Sequence, residues 1–279
     1  SGGTFQITGT GTDSIGNAVS VLVNSGGVFD FRQTGNETVG GLTLNGSGTG
    51  GGAMINNNGT TAAGTLSGLV TLGSDATIGG TGNITLGSVV SGGGFALTKR
   101  GTNTLFLNAS NTFSGGLNIF AGTVAANGGN GNTNLGSGTV TLGDSATPAT
   151  NATLLLQANP TTTFNNQIVT GTGMTSTLLI HNPSGYYTLA GAITLNNSNL
   201  RIQNSNGAAG SYITVAGGTT GTGNITATGT AGGSPINFTT NSINHTGTLT
   251  NVGTNTAGIV TISATIGTNV TGIIQNGIA

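Results

Sequence analysis

The sequence predicts an all-β chain, a parallel β-helix (β-solenoid) with degenerate coils, and three observations carry that expectation. Gly, at 55 of 279 residues, together with Thr, Asn and Ser makes up well over half of the chain, while charged residues are only 3%; ordinary globular domains are not composed in this way. The hydrophobic fraction is nevertheless 34%, enough to oppose the conformational entropy that keeps Gly- and Ser-rich linkers disordered. The apolar residues fall in short, evenly spread groups bounded by Gly, Asn, Ser or Thr, which is the pattern of many brief strands closed by turns.

The strand units are legible one by one. Val21-Leu22-Val23, Val28-Phe29-Asp30-Phe31, Leu105-Phe106-Leu107 and Leu154-Leu155-Leu156 are strand-sized. A cassette recurs at Leu42-Thr43-Leu44-Asn45, Val70-Thr71-Leu72-Gly73, Ile84-Thr85-Leu86-Gly87, Val140-Thr141-Leu142-Gly143 and Ile193-Thr194-Leu195-Asn196. In each, alternation of side chains buries two aliphatics and turns the Thr outward. The Gly or Asn that follows is suited to the left-handed backbone of a sharp turn. Helical spacing at i, i+3, i+4 and i+7 is not sustained over any long window, so helices should be few and short.

Many short strands are compatible with a sandwich, an antiparallel barrel or a solenoid. The solenoid is favoured because internal similarity extends along the chain and the corners are rich in Gly and Asn. Coils of about 20 to 25 residues would stack roughly 4.8 Å apart, each pairing its backbone with the next. Aligned corners would place like residues on like, and Asn56-Asn57-Asn58, Gly128-Gly129-Asn130-Gly131-Asn132 and Asn196-Asn197-Ser198-Asn199 suit Asn ladders, although each reads at least equally well as an ordinary flexible loop. Residues 1–279 read as one continuous β-helix, with a protruding loop or weak boundary at 146–160, where Pro148 and Pro160 stand.

Charge excludes several partners. Arg32, Lys99, Arg100 and Arg201 against Asp13, Asp30, Glu37, Asp75 and Asp144 leave a formal net charge of −1. Nucleic-acid binding needs a clustered basic surface, and attachment to anionic lipid needs a polybasic segment; neither is present. Cysteine is absent, which removes disulfides and thiolate metal sites. There is no run of about 18 apolar residues, so this segment is not expected to insert in a membrane, and no signal peptide begins at Ser1. If the protein is secreted, the chain is expected to be a mature form or a fragment.

One segment carries a family resemblance. Leu97-Thr98-Lys99-Arg100-Gly101-Thr102-Asn103-Thr104-Leu105 resembles the autotransporter-associated β-strand repeat, whose pattern runs Leu-Thr-Lys-x-Gly-x-Gly-Thr-Leu. The resemblance continues through Asn111-Thr112-Phe113-Ser114-Gly115-Gly116, Ala121-Gly122-Thr123-Val124 and Leu135-Gly136-Ser137-Gly138-Thr139-Val140, so that it spans residues 94–143. Asn103 departs from the pattern, where Gly is usual. The resemblance implies a right-handed parallel β-helix, placed outside the cell or on a bacterial cell surface in a long passenger protein. It implies no substrate.

Residues with chemical potential are few. Glycan-active β-helices need clustered carboxylates, and the five acids are spread from Asp13 to Asp144. His181, before the turn signal Asn182-Pro183-Ser184-Gly185, and His245, between Asn244 and Thr246-Gly247, read as exposed loop histidines without an acidic partner. Gly46-Ser47-Gly48-Thr49-Gly50-Gly51 matches a dinucleotide fingerprint only formally, because no helix follows. The calcium nonapeptide fails at Thr133, where a carboxylate is required. Lys99-Arg100, the one adjacent pair of charges, reads as a functional spot or as a structural part of the repeat, and Tyr186-Tyr187 as packing at a strand edge.

No catalytic, cofactor-binding or metal-ligating residue is therefore assigned, and no cofactor is expected. The expected role is a non-enzymatic stalk section or a subunit of an extracellular fibre that associates through the ends of the helix. The alternative is an adhesin-type module with a cell-surface or glycan ligand, and the least favoured reading is a glycan-active enzyme.

Overall fold

The computed structural model describes residues 2–8, 13–49, 51–59, 61–128, 133–158, 161–206, 211–230, 234–253 and 258–277. Among the described residues there is no helix, and every strand pair joins parallel strands. Parallel pairing between successive passes of the chain is the signature of a β-solenoid, and the all-β expectation holds. The chain divides into two compact units, residues 1–138 and 139–279.

The strands of the first unit form three stacks. One stack comprises Thr4–Gln6, Val28–Asp30, Met54–Asn56, the second half of Val70–Gly80, Leu97–Lys99 and Leu117–Ile119. A second comprises Asn36–Glu37, Gly64–Leu66, Ile84–Leu86, Thr104–Leu107 and Gly122–Gly128. A third is formed by Ser20–Val23, Gly41–Gly46, the first half of Val70–Gly80 and Val90–Ser91. Paired residues in this unit lie from 19 positions apart, Thr104 and Thr123, to 30, Gly46 and Ala76, and the coils that hold Leu97, which pairs with Ala76 and Leu117, are among the shorter ones.

The second unit repeats the plan with coils of more even length. Its stacks are Val140–Leu142, Ile168–Thr170, Ile193–Asn196 and Thr219–Thr222; Ala152–Ala158, Leu178–Asn182, Leu200–Asn204, Ile225–Gly229, Gly247–Asn251 and Val270–Gln275; and Thr162–Phe164, Tyr186–Leu189, Tyr212–Val215, Ile236–Phe238 and Val260–Ile262. Paired residues such as Leu178 and Leu200, or Val140 and Ile168, set an advance of 22 to 28 residues.

The core is a set of columns in register. Leu154, Ile180, Ile202 and Ala227 are each fully buried, one above the other, as are Phe164, Leu189, Val215 and Phe238. Each buried aliphatic or aromatic side chain contributes about 1.5–3 kcal/mol relative to exposure. All five cassettes bury both aliphatics, and four keep the Thr at least partly exposed; Thr85 is the enclosed exception.

The turn expectation holds only in part. Gly143 follows its cassette with φ 90°, and the left-handed residue arrives one position later at Gly46 (φ 76°) and Asn197 (φ 53°). At Gly73 the strand Val70–Gly80 continues instead. Glycine is needed there for space, because a Cβ would meet the side-chain oxygen of Asn45, whose amide is held by the Val23 carbonyl at 3.0 Å.

The Asn-rich corners also differ from a simple ladder. Asn182 pairs with Asn204, and further along the same stack Asn251 pairs with Gln275, so amides do stack in register. Yet Asn182 Nδ2 donates to the Gly185 and Tyr212 carbonyls, and its Oδ1 accepts from the amides of Ser184 and Gly185. Asn56 likewise donates to the Gln33 and Asn83 carbonyls. These amides clip turns to the neighbouring coil more than they bond one another, because a turn leaves backbone groups that need partners. Residues 129–132 lie outside the described residues, as does Pro160; the described part of the 146–160 stretch is a turn up to Thr150 followed by the strand Ala152–Ala158, and the Pro148 carbonyl of that turn accepts from the amides of Thr175 and Ser176.

Candidate functional site

Residues of the segment that begins at Leu97 converge on one corner of the first unit. Leu97–Lys99 lies between the strands Ala76–Ile78 and Leu117–Ile119, and two-residue alternation turns Lys99 inward with Leu97; both are fully buried. The Lys99 stem therefore occupies a core position while its ammonium reaches the corner. There Nζ donates to the Arg100 carbonyl at 2.6 Å, the Gly101 carbonyl at 2.9 Å and the Ala121 carbonyl of the next coil at 3.2 Å. Burial pushes the Lys99 ammonium down to about 7. Three carbonyl acceptors match the three N–H bonds of an ammonium, whereas a neutral amine supplies two.

A glycine column explains the shape of this corner. Gly80, Gly101 and Gly122 all have positive φ, at 107°, 78° and 71°. A Cβ on Gly101 would strike the Gly80 carbonyl oxygen, and one on Gly122 the Gly101 oxygen. Only glycine permits both the left-handed turn and this approach. Arg100 faces outward over the Phe120 ring, its guanidinium carbon 4.8 Å from the centroid. Asn103, the departure from the repeat pattern, is buried and donates to the Gly79 and Gly82 carbonyls at 3.3 and 2.7 Å.

The carboxylates are engaged with backbone or amide groups. Glu37 is fully buried and accepts from the amides of Ser14 and Ile15 at 2.7 and 2.6 Å and from Gln33 Nε2 at 3.2 Å. Asp13 accepts from the Thr38 amide, which brings Asp13 and Glu37 to the same pair of turns. Buried Asp30 accepts from Gln6 Nε2 and the Asn57 amide. Asp75 accepts from the Ala96 amide of the next coil, and Asp144 from the Ala146 amide within its own turn. Among the described residues no group of three or more His, Asp or Glu side chains is placed to hold a metal ion.

Both histidines depart from the expectation of exposed loop residues. His181 lies within the strand Leu178–Asn182, half-buried, with Nε2 2.7 Å from Ser205 Oγ; burial and then the charge of Arg201 lower its pKa. His245 is fully buried. Its Nε2 donates to the Thr248 carbonyl at 3.3 Å, so the neutral ring accepts the Thr219 hydroxyl at Nδ1, 2.8 Å away. Burial lowers its pKa, opposed by the bond to Thr248. The short polar residues around it disguise a core position because they supply its hydrogen-bond partners.

Tyr187 is likewise a core residue and not an edge one. It is fully buried and its hydroxyl donates to the Ala158 carbonyl at 2.9 Å; burial raises its pKa. Tyr186 stays half-exposed against Tyr212 of the next coil, ring centroids 5.3 Å apart.

A feature with no sequence signal lies on the outer side of the second unit. Ser176, Thr177, Asn199, Arg201, Thr226 and Val252 surround a groove of about 340 Å³. It arises because coil register aligns residues more than 70 positions apart.

No curated protein and no solved structure matches the chain. Residues 97–126, the coil built on Lys99 and the glycine column, match the family described as passenger-associated-transport-repeat.

Proposed function

We propose that the chain is a section of an extracellular or cell-surface stalk, a passenger-type β-solenoid whose role is mechanical and spatial and not enzymatic. The observation that carries this reading is the transport repeat at 97–126 embedded in an unbroken parallel stack. The engagement of all five carboxylates in fixing turns supports it as well. Stacked coils give a stiff element in which each rung supports the next.

Association through the ends fits the same reading. Among the described residues, the outer edges of Thr4–Gln6 and Ser20–Val23 pair with no strand, and Phe5 and Leu22 there are more than half exposed. Ile273 is similarly exposed on Val270–Gln275. A further β-coil, from a second copy or from adjoining polypeptide, would satisfy these edges. Electron microscopy of the purified protein tests the fibre form: end-to-end filaments are expected, and persistently single rods at high concentration would remove it. Antibody labelling of intact producing cells tests the placement, and signal only after lysis would overturn the surface reading. An adhesin role is the second reading, favoured by the groove around Arg201.

A further inference from the structure

The second unit carries one arginine and one acid, Arg201 and Asp144, in 141 residues. Arg201 lies at the groove described above, on the outward side of Leu200–Asn204. Its Nε donates to Thr228 Oγ1 of the next coil at 3.2 Å, which fixes the plane of the guanidinium. Among the described residues its terminal amino groups take no protein acceptor. The neighbouring groups are mostly donors or hydroxyls: Asn199 spends its side-chain oxygen on the Asn224 amide, which leaves its Nδ2 for the groove, beside Thr177 and Thr226. The cation is uncompensated by any groove-lining carboxylate, and its charge reaches His181.

We propose that this groove is a binding site for an anionic polysaccharide, whose carboxylate or sulfate group is held by the Arg201 guanidinium. The planar fork of an arginine matches both groups through paired N–H bonds. The groove volume lies at the lower end of small-molecule sites, roughly 300–1,000 Å³, which suits a sugar unit and not a protein surface. Coil register extends it, because Arg201, Thr226, Thr250 and Ile274 follow one another along the stack. A polymer lying along that row meets the hydroxyls of Thr226 and Thr250 on the two rungs that follow Arg201. Val252 supplies an apolar wall for a ring face.

The test is affinity electrophoresis and titration calorimetry of the whole chain with polygalacturonate, dextran sulfate and neutral dextran. The chain should bind at least one polyanion and not neutral dextran, and the two polyanion arms separate carboxylate from sulfate recognition. Arg201→Gln should weaken binding at least tenfold, and Arg201→Lys should restore only part of it. Arg100→Gln removes the same charge from the first unit and should leave binding unchanged, with folding of each variant checked by circular dichroism. Equal binding by Arg201→Gln, equal loss in Arg100→Gln, equal binding to neutral dextran, or no binding to either polyanion would overturn the proposal. The stalk reading needs no ligand and would survive any of these results.

Discussion

Lys99 places an amine where the solenoid elsewhere buries an aliphatic group, so its titration should be visible in stability. In the unfolded chain the proton leaves near the ordinary 10.5, in the folded chain near 7. Between these values the unfolded state binds more protons, so stability rises with pH; below 7 both states hold the proton and the full cost of enclosing the charge applies. The rise from pH 7 to pH 9.5 amounts to about 3 kcal/mol. Stopping at 9.5 avoids Tyr187, whose raised pKa makes stability fall once the unfolded phenol ionises above about 10. The assay is equilibrium urea unfolding of the chain and of Lys99→Met across this range. The methionine keeps the stem but also strands the carbonyls of Arg100, Gly101 and Ala121, so the slope with pH is the readout and not the absolute value. The parent should gain about 3 kcal/mol and the variant should lack that gain. Parallel pH profiles would refute the idea that Lys99 titrates inside the corner.

Gly101→Ala should destabilise the first unit by about 2–4 kcal/mol, since it combines a left-handed φ with a collision against the Gly80 carbonyl; Gly93→Ala, with open space around it, should change urea midpoints little. Glu37→Gln should cost about 2–3 kcal/mol because it turns an amide donor toward the Ser14 or Ile15 N–H, and retention of the parent melting temperature would count against that role. His245 is neutral and satisfied in the fold, so stability should fall as pH drops below about 6.5 towards its lowered folded value. Replacing His245 with Asn should make that acid limb shallower in thermal unfolding measured from pH 7 to pH 5, leaving the part that His181 contributes through its own lowered pKa.

Strands were legible in the sequence because the aliphatic-Thr-aliphatic cassette encodes its own burial: Leu42 and Leu44, or Ile193 and Leu195, are buried as alternation requires. Corners were less legible. Gly73 looks identical to Gly143 in the sequence, yet one lies within a strand and the other turns, and what a side chain at Gly73 would meet is Asn45 of the adjacent coil. His245 and Tyr187 were misplaced for a related reason. Their burial is set by residues distant in sequence, Thr219 at His245 and Phe164 at Tyr187, from other coils. The Arg201 groove was invisible because it is assembled from residues 176 to 252 by register alone.

The same reasoning explains why the transport repeat is recognisable when other coils of this chain are not. A strand interior accepts almost any β-branched or aliphatic residue, so its sequence drifts while its fold persists. A corner that must bring a left-handed glycine against a carbonyl and then satisfy the carbonyls it turns inward has few solutions. Lys99, Gly101 and Gly122 together are one such solution, since the glycines create the close approach and the ammonium ties the Arg100 and Gly101 carbonyls to that of Ala121 in the next coil. Elsewhere Asn182 and Asn56 do similar work with a neutral amide, which tolerates more varied surroundings than a buried charge does. The motif is thus a description of a corner: its strand residues could change with little effect, while loss of Lys99 or Gly101 would open the contact between two coils.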